Sequence, residues 1–231
     1  AALTATRAIL AEQRGDALDP EGRPIPVVVL GMGKLGGREL NPGSDVDICF
    51  FYGSDEGATR SGDSPHEFFT RLVRRVSTAI GEVTEDGFVF RVDLRLRPQG
   101  SRGPPANSVR SAERYYPAFG RAWDRAALLR ASAVAGDSAL GEHLLERLEP
   151  FVYRRGVDPS IAPVMHAMVE RSRAELSSNP ERDVKLGRGG IREAEFFVQG
   201  LQLVWGGRFP EVRSPATVDG ARRLCAAGFL T

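Results

Sequence analysis

Cysteine is nearly missing from this 231-residue chain: Cys49, inside an apolar run, and Cys225, near the end, are the only two. Two such residues can build neither a disulfide framework nor a cysteine-based zinc site. Long apolar runs are missing too. The longest, around residues 27–30 and 48–52, are strand-sized and fall well short of the ~18 residues a membrane span needs. No charged-then-apolar leader is visible, so no signal peptide is expected and a reducing cytoplasm is the expected compartment. The three histidines, His66, His143 and His166, fall on three separate expected helices and form no metal or triad pattern. A net charge of +1 leaves no bulk positive field for nucleic acid. With 42% hydrophobic residues the chain is globular rather than disordered.

Lysine is the most informative shortage. Of 31 basic residues only Lys34 and Lys185 are lysines, and each sits beside a glycine cluster, residues 31–37 and 187–190. In a chain that otherwise uses arginine, a compact and mobile ammonium points to a task a planar guanidinium does less well.

Local patterns give the organisation. Residues 1–18 read as a helix, residues 27–30 as a short buried strand and residues 45–52 as a second strand. Ser64-Pro65-His66-Glu67 combines an N-cap, a proline at the first helical position and a reciprocal glutamate, so a helix starts there. Its stripe is Phe68, Leu72, Val73, Val76 and Ile80. Residues 88–97 return to a period of two, and the prolines of residues 98–105 interrupt it. From Ser111 onward only helices are read. Tyr115, Phe119, Trp123 and Leu128 fall near helical spacing and suit packing better than base stacking. The expected division is residues 1–110, strand-rich, and residues 111–231, helical and truncated at the C-terminus.

Gly31-Met32-Gly33-Lys34-Leu35-Gly36 formally matches a dinucleotide fingerprint, but the following turn at residues 41–44 leaves no room for the helix that fingerprint requires. A Walker A loop fails as well, because Leu35 follows Lys34. The loop suits an anion-binding nest, and a structural tight turn fits it equally. Asp45 and Asp47 lie two apart at the start of a strand, so both face one way while Val46 and Ile48 face a core. Such a pair repels unless a cation lies between, and hard oxygen donors suit Mg²⁺. Strand-end solvation is the plainer reading. Asp93, among Arg91, Arg95 and Arg97, is either a third carboxylate or an ordinary ion pair.

Gly43-Ser44-Asp45-Val46-Asp47 resembles the signature of the polymerase-β-like nucleotidyltransferases. Residues 31–41 with that Asp pair, residues 88–98, Gly120-Arg121-Ala122-Trp123-Asp124-Arg125 and residues 185–199 together resemble the glutamine synthetase adenylyltransferase family. Met32, Asn41 and the run at residues 187–193 are similar to its N-terminal, adenylyl-removing half. Pro42-Gly43 departs from the small polar pair more usual there, yet restores Gly-Ser.

The resemblance implies an α+β, polymerase-β-like nucleotidyltransferase fold with a mixed sheet, followed by an α-helical domain. Asp45, Asp47 and Asp93 are the expected catalytic residues and ligands of two Mg²⁺ or Mn²⁺ ions. Gly43, Ser44 and Lys34 are expected at the nucleotide phosphates, and Arg95, Lys185, Arg192 and Glu195 along the cleft. The implied reaction is removal of AMP from a glutamine synthetase tyrosine by inorganic phosphate, giving ADP. ATP-dependent adenylylation and a non-catalytic module binding the PII protein or glutamine are the alternatives. The chain reads as a fragment of a longer enzyme, with neither nucleic acid nor membrane as partner.

Overall fold

The computed structural model describes every residue except 86, 157, 177–178 and 180–181. The protein is α+β with one mixed sheet. In chain order the first elements are α1 (Ala2–Arg14), β1 (Val27–Gly31), the single turn α2 (Gly33–Gly36), β2 (Val46–Tyr52) and α3 (Pro65–Gly81). Next come β3 (Val92–Asp93), β4 (Ala106–Ser108), α4 (Val109–Phe119), α5 (Ala122–Leu129) and β5 (Ser132–Gly136). The remaining helices are α6 (Ser138–Val152), α7 (Ile161–Leu176), α8 (Ile191–Trp205) and α9 (Thr217–Ala226). No described helix is long and apolar enough to cross a membrane.

The chain divides into two compact units, Ala1–Phe119 with Ala131–Leu148, and Gly120–Arg130 with Glu149–Thr231. In the first unit, β1 runs antiparallel to β2 and to β5, and β2 runs parallel to two short partners on its other edge. β3 pairs with the start of β2 (Val46↔Val92, Asp47↔Asp93) and β4 with its end (Phe50↔Ala106, Tyr52↔Ser108). Val27, Val29, Ile48, Phe50 and Tyr52 form a core with Leu3 and Leu10 of α1 and Phe68, Phe69, Leu72, Val73 and Val76 of α3. Helix α3 begins where Ser64 predicts: Glu67 N donates to Ser64 Oγ (3.3 Å), and Ser64 N donates to Glu67 Oε2 (2.9 Å).

Three local readings are corrected. The region after Ser111 is not purely helical, because Ser132–Gly136 forms β5 against β1. The alternation over residues 88–97 yields only the two-residue β3. Its partner β2 starts at Val46, so residues before Arg91 have no neighbouring strand, and Phe88 is left 52% exposed. Beyond Asp93 the Arg97 guanidinium clamps the turn, donating to the Leu94 (2.8 Å), Gly103 (2.9 Å) and Pro104 (3.0 Å) carbonyls. The aromatic stripe also divides, Tyr115 and Phe119 ending α4 and Trp123 and Leu128 lying on α5, with Phe119 exposed.

In the second unit, Val198, Val212 and Leu224 centre a core closed by Trp205 stacked on Phe229 at 4.4 Å. Asp124 is buried in α5 and accepts a hydrogen bond from Arg121 N (2.8 Å). Burial pushes its carboxyl up to about 6, against the opposing pull of the Arg121 amide and charge. An unfolded aspartate titrates near ~3.9, so the folded state holds this proton more tightly. Its contribution to stability is fully present below about pH 4 and is lost as pH rises through about 6. Asp124→Asn keeps the acceptor and removes the ionisation. The variant is expected to be about 2–3 kcal/mol more stable than the parent at pH 8, the gap closing toward pH 4. Urea unfolding at pH 4, 6 and 8 measures it, and a gap independent of pH would refute the assignment.

Candidate active site

The glycine loop after β1 is tied to β2. Met32 N donates to Asp47 O (2.9 Å), and the loop closes into the single turn α2, with Gly37 N donating to Gly33 O (3.0 Å). Gly33 has φ +53°, and a Cβ there would lie 3.3 Å from Asp47 Oδ2. Glycine at this point therefore satisfies a left-handed backbone and keeps the space beside the carboxylate open. Ser132 Oγ of β5 donates to Gly36 O (2.9 Å) and holds the far side of the loop. Before β2, Ser44 N donates to Asn41 O (3.1 Å) and Gly43 takes φ +73°, a turn that delivers the chain to Asp45.

Asp47 and Asp93 are direct register partners across the parallel β2–β3 pair. Side chains at such positions share one face of the sheet, and Asp45, two residues earlier, belongs to that face too. Val46 and Ile48 are buried on the opposite face. Asp93, remote in sequence, thus stands beside Asp47.

Arginines attend these carboxylates. Arg91 Nε donates to Asp45 Oδ1 at 2.6 Å. Arg95 forks onto Asp93 Oδ2 with Nε at 2.8 Å and Nη2 at 2.5 Å, while its backbone N donates to Oδ1 at 2.8 Å. Burial alone would push the Asp93 carboxyl up, but the hydrogen bonds and charge of Arg95 outweigh it and hold the group below the ordinary range. Both guanidiniums are largely exposed, so these pairs contribute little to stability and exchange readily. Cys49 lies deeper along β2, where burial first and the Asp47 charge second push its thiol up and leave it unreactive.

Hard carboxylate oxygens on adjacent strands, two of them already drawing cationic side chains, are the donor type a divalent cation takes. Among the described residues no three acidic, histidine or cysteine side chains are gathered closely enough to hold one ion. Asp45 turns to Arg91 and Asp93 to Arg95, so the structure brings Asp47 and Asp93 to one place in the backbone without converging all three carboxylates.

Lys34 lies in α2, half-buried, with no carboxylate in ion-pair range among the described residues. Lys185, Arg192 and Glu195 lie in the second unit. Lys185 is exposed, and its carbonyl accepts from Arg192 N (2.9 Å). Glu195 faces Arg130 Nη1 at 3.7 Å and Arg192 Nε at 3.7 Å, a shielded Arg–Glu–Arg group joining α8 to the end of α5. Sequence reasoning gave no separate role to Arg91 or Arg97. Their alternation with Asp93 was the available signal, but only the register of β3 shows which carboxylate or carbonyl each reaches.

The chain is similar to known proteins along most of its length. Residues 1–147, which contain the whole carboxylate site, match the family model for glutamate-ammonia ligase adenylyltransferase. Residues 163–231 match a model for GlnD PII-uridylyltransferase. A bifunctional glutamine synthetase adenylyltransferase/adenylyl-removing enzyme of Thioalkalivibrio sulfidiphilus is 46% identical over 93% of this chain and 22% of its own length. Enzymes of the same name from Pseudomonas aeruginosa (49% identical, 86% of this chain and 21% of theirs) and Mesorhizobium japonicum (44%, 88% and 21%) are similar. The chain therefore spans about a fifth of the length of these relatives. With its glycine loop, Asp pair and partner aspartate inside the matched segment, the chain belongs to the glutamate-ammonia ligase adenylyltransferase family.

Proposed function

We propose that this chain is the adenylyl-removing nucleotidyltransferase part of a bifunctional nitrogen-control enzyme of the cytoplasm, built on a polymerase-β-like fold. The observation that carries the reading is the register pairing of Asp47 with Asp93 beside the open face of Gly33. Asp45, Asp47 and Asp93 would hold Mg²⁺ or Mn²⁺, two ions in this proposal. Bound there, the metal neutralises phosphoryl charge and stabilises the leaving oxygen. The protein's own groups do the positioning. Gly43 and Ser44 offer a backbone amide and a hydroxyl to the nucleotide phosphates, and the Lys34 ammonium reaches the same anions from the facing loop. Asp93 also positions a proton on the attacking phosphate. Arg91 and Arg95 offset the carboxylate charge before substrate arrives and leave it when the site fills.

The protein substrate is glutamine synthetase carrying AMP on a tyrosine. A phosphate oxygen forms a bond to the α-phosphorus as the bond to the tyrosine oxygen breaks, giving ADP and a phenolate whose ordinary pKa near ~10 calls for cationic stabilisation. In the full-length enzyme the PII protein is the proposed regulator, supported by the match of residues 163–231 to a PII-modifying family.

Incubating the chain with adenylylated substrate, Mg²⁺ and labelled phosphate is expected to place label in the β-position of ADP. Free AMP would mean hydrolysis. Transfer of AMP from ATP onto unmodified substrate, with no phosphate-dependent removal, would assign the chain to the forward reaction.

A further inference from the structure

The other end of β2 carries a second group of polar side chains. Tyr52 ends this strand and Ser108 ends β4, its parallel partner, with α4 following β4 directly. Asp47 lies five residues back, about 17 Å at strand rise, so this place is distinct from the carboxylate site. A cavity of about 350 Å³ opens there, in the range of small-ligand pockets. Tyr52, Asn107 and Ser108, all nearly fully buried, contribute to its wall, and Arg110 and Arg114 of α4 line it as well. It lies outside the carboxyl ends of two parallel strands, where open sheets commonly take their ligands.

The charges select the ligand. Asp55, the carboxylate in this lining, accepts Tyr52 OH (3.0 Å) on one oxygen and Ser108 Oγ (2.7 Å) on the other. His66 Nδ1 stands 3.5 Å from the Tyr52 hydroxyl. Arg110 and Arg114 are four residues apart, on one face of α4, and neither guanidinium meets an acceptor among the described residues. Arg110 lies in the first turn of that helix, at its positive end, and Arg114 one turn further on, so the cavity presents cations in excess of its single, doubly hydrogen-bonded anion. Paired guanidiniums match the oxygens of a phosphoryl group.

We propose that this cavity is a binding site for a small phosphate-bearing molecule, held by Arg110 and Arg114 and separate from the nucleotidyltransferase site. The volume exceeds that of one phosphate, which leaves room for a small organic group against Pro104 and Ala106.

Titration of the ¹⁵N-labelled chain with inorganic phosphate tests it. The amide resonances of Arg110 and Ser111 are expected to shift and saturate. The Arg110→Gln/Arg114→Gln double variant, altered only at exposed positions, is expected to bind at least tenfold more weakly at this site, while Lys34→Gln leaves the titration of these resonances unchanged. Resonance dispersion verifies that both variants are folded. Shifts that never saturate, shifts confined to residues 33–36, or saturation unaffected by the double variant would each overturn the proposal. Acetate saturating the same resonances as tightly as phosphate would overturn the assignment to a phosphoryl group.

Discussion

Asp47→Asn is expected to reduce adenylyl removal by two to four orders of magnitude while leaving thermal unfolding within about 2 °C of the parent. The magnitude follows from what the side chain is asked to do. Losing an anionic ligand from a phosphoryl-transfer centre removes charge stabilisation worth several kcal/mol, and each ~1.4 kcal/mol is tenfold in rate. Stability is spared because Asp47 supports the fold through its backbone, whose carbonyl accepts Met32 N (2.9 Å), a bond that asparagine keeps. The side chain is only half-buried, on the face away from the main core. Turnover by the labelled-phosphate assay and unfolding by circular dichroism provide the two readings. Normal turnover would remove Asp47 from the reaction. A large fall in melting temperature would make it a structural residue instead.

The largest loss of stability is expected from Phe69→Ala. The Phe69 ring is fully buried, stacks on Tyr52 with centroids 4.8 Å apart and meets Phe68 edge-on at 5.3 Å. Deleting it removes apolar burial and leaves a cavity between α3 and the end of β2, a combination that costs about 3–5 kcal/mol. For a domain of marginal stability that is a large part of the total. Urea unfolding should show a markedly lower midpoint. Because Tyr52 also borders the Arg110–Arg114 cavity, phosphate titration of this variant should weaken as well, unlike that of Asp47→Asn. A loss below 1 kcal/mol would mean that α3 does not pack on this face of β2.

The sequence by itself determined the features whose cause is local. Residues 27–30, all β-branched or apolar, read as a short buried strand, and the alternation through Asp45, Val46, Asp47 and Ile48 assigned carboxylates and core residues to opposite faces. Ser64, Pro65 and Glu67 set the start of α3 because a capping box needs nothing beyond four consecutive residues. The short space between Gly36 and the turn at Asn41 ruled out a dinucleotide-binding helix, and only the single turn α2 forms.

Tertiary structure decided what depends on pairing across distance. Residues 88–97 carry a strand-like period, yet only Val92–Asp93 pair, because β2 offers an edge from Val46 onward and Arg97 folds the following residues into a turn. Ser132–Gly136 contains two alanines and a glycine, a weak strand by propensity, and becomes one because the open edge of β1 is available to it. The same rule governs the site. Asp93 stands beside Asp47, and Arg91 and Arg95 choose their carboxylates, through a two-residue parallel register. Parallel pairing joins segments far apart in the chain, so its register is set by the packing of the whole sheet and leaves no mark in either segment alone.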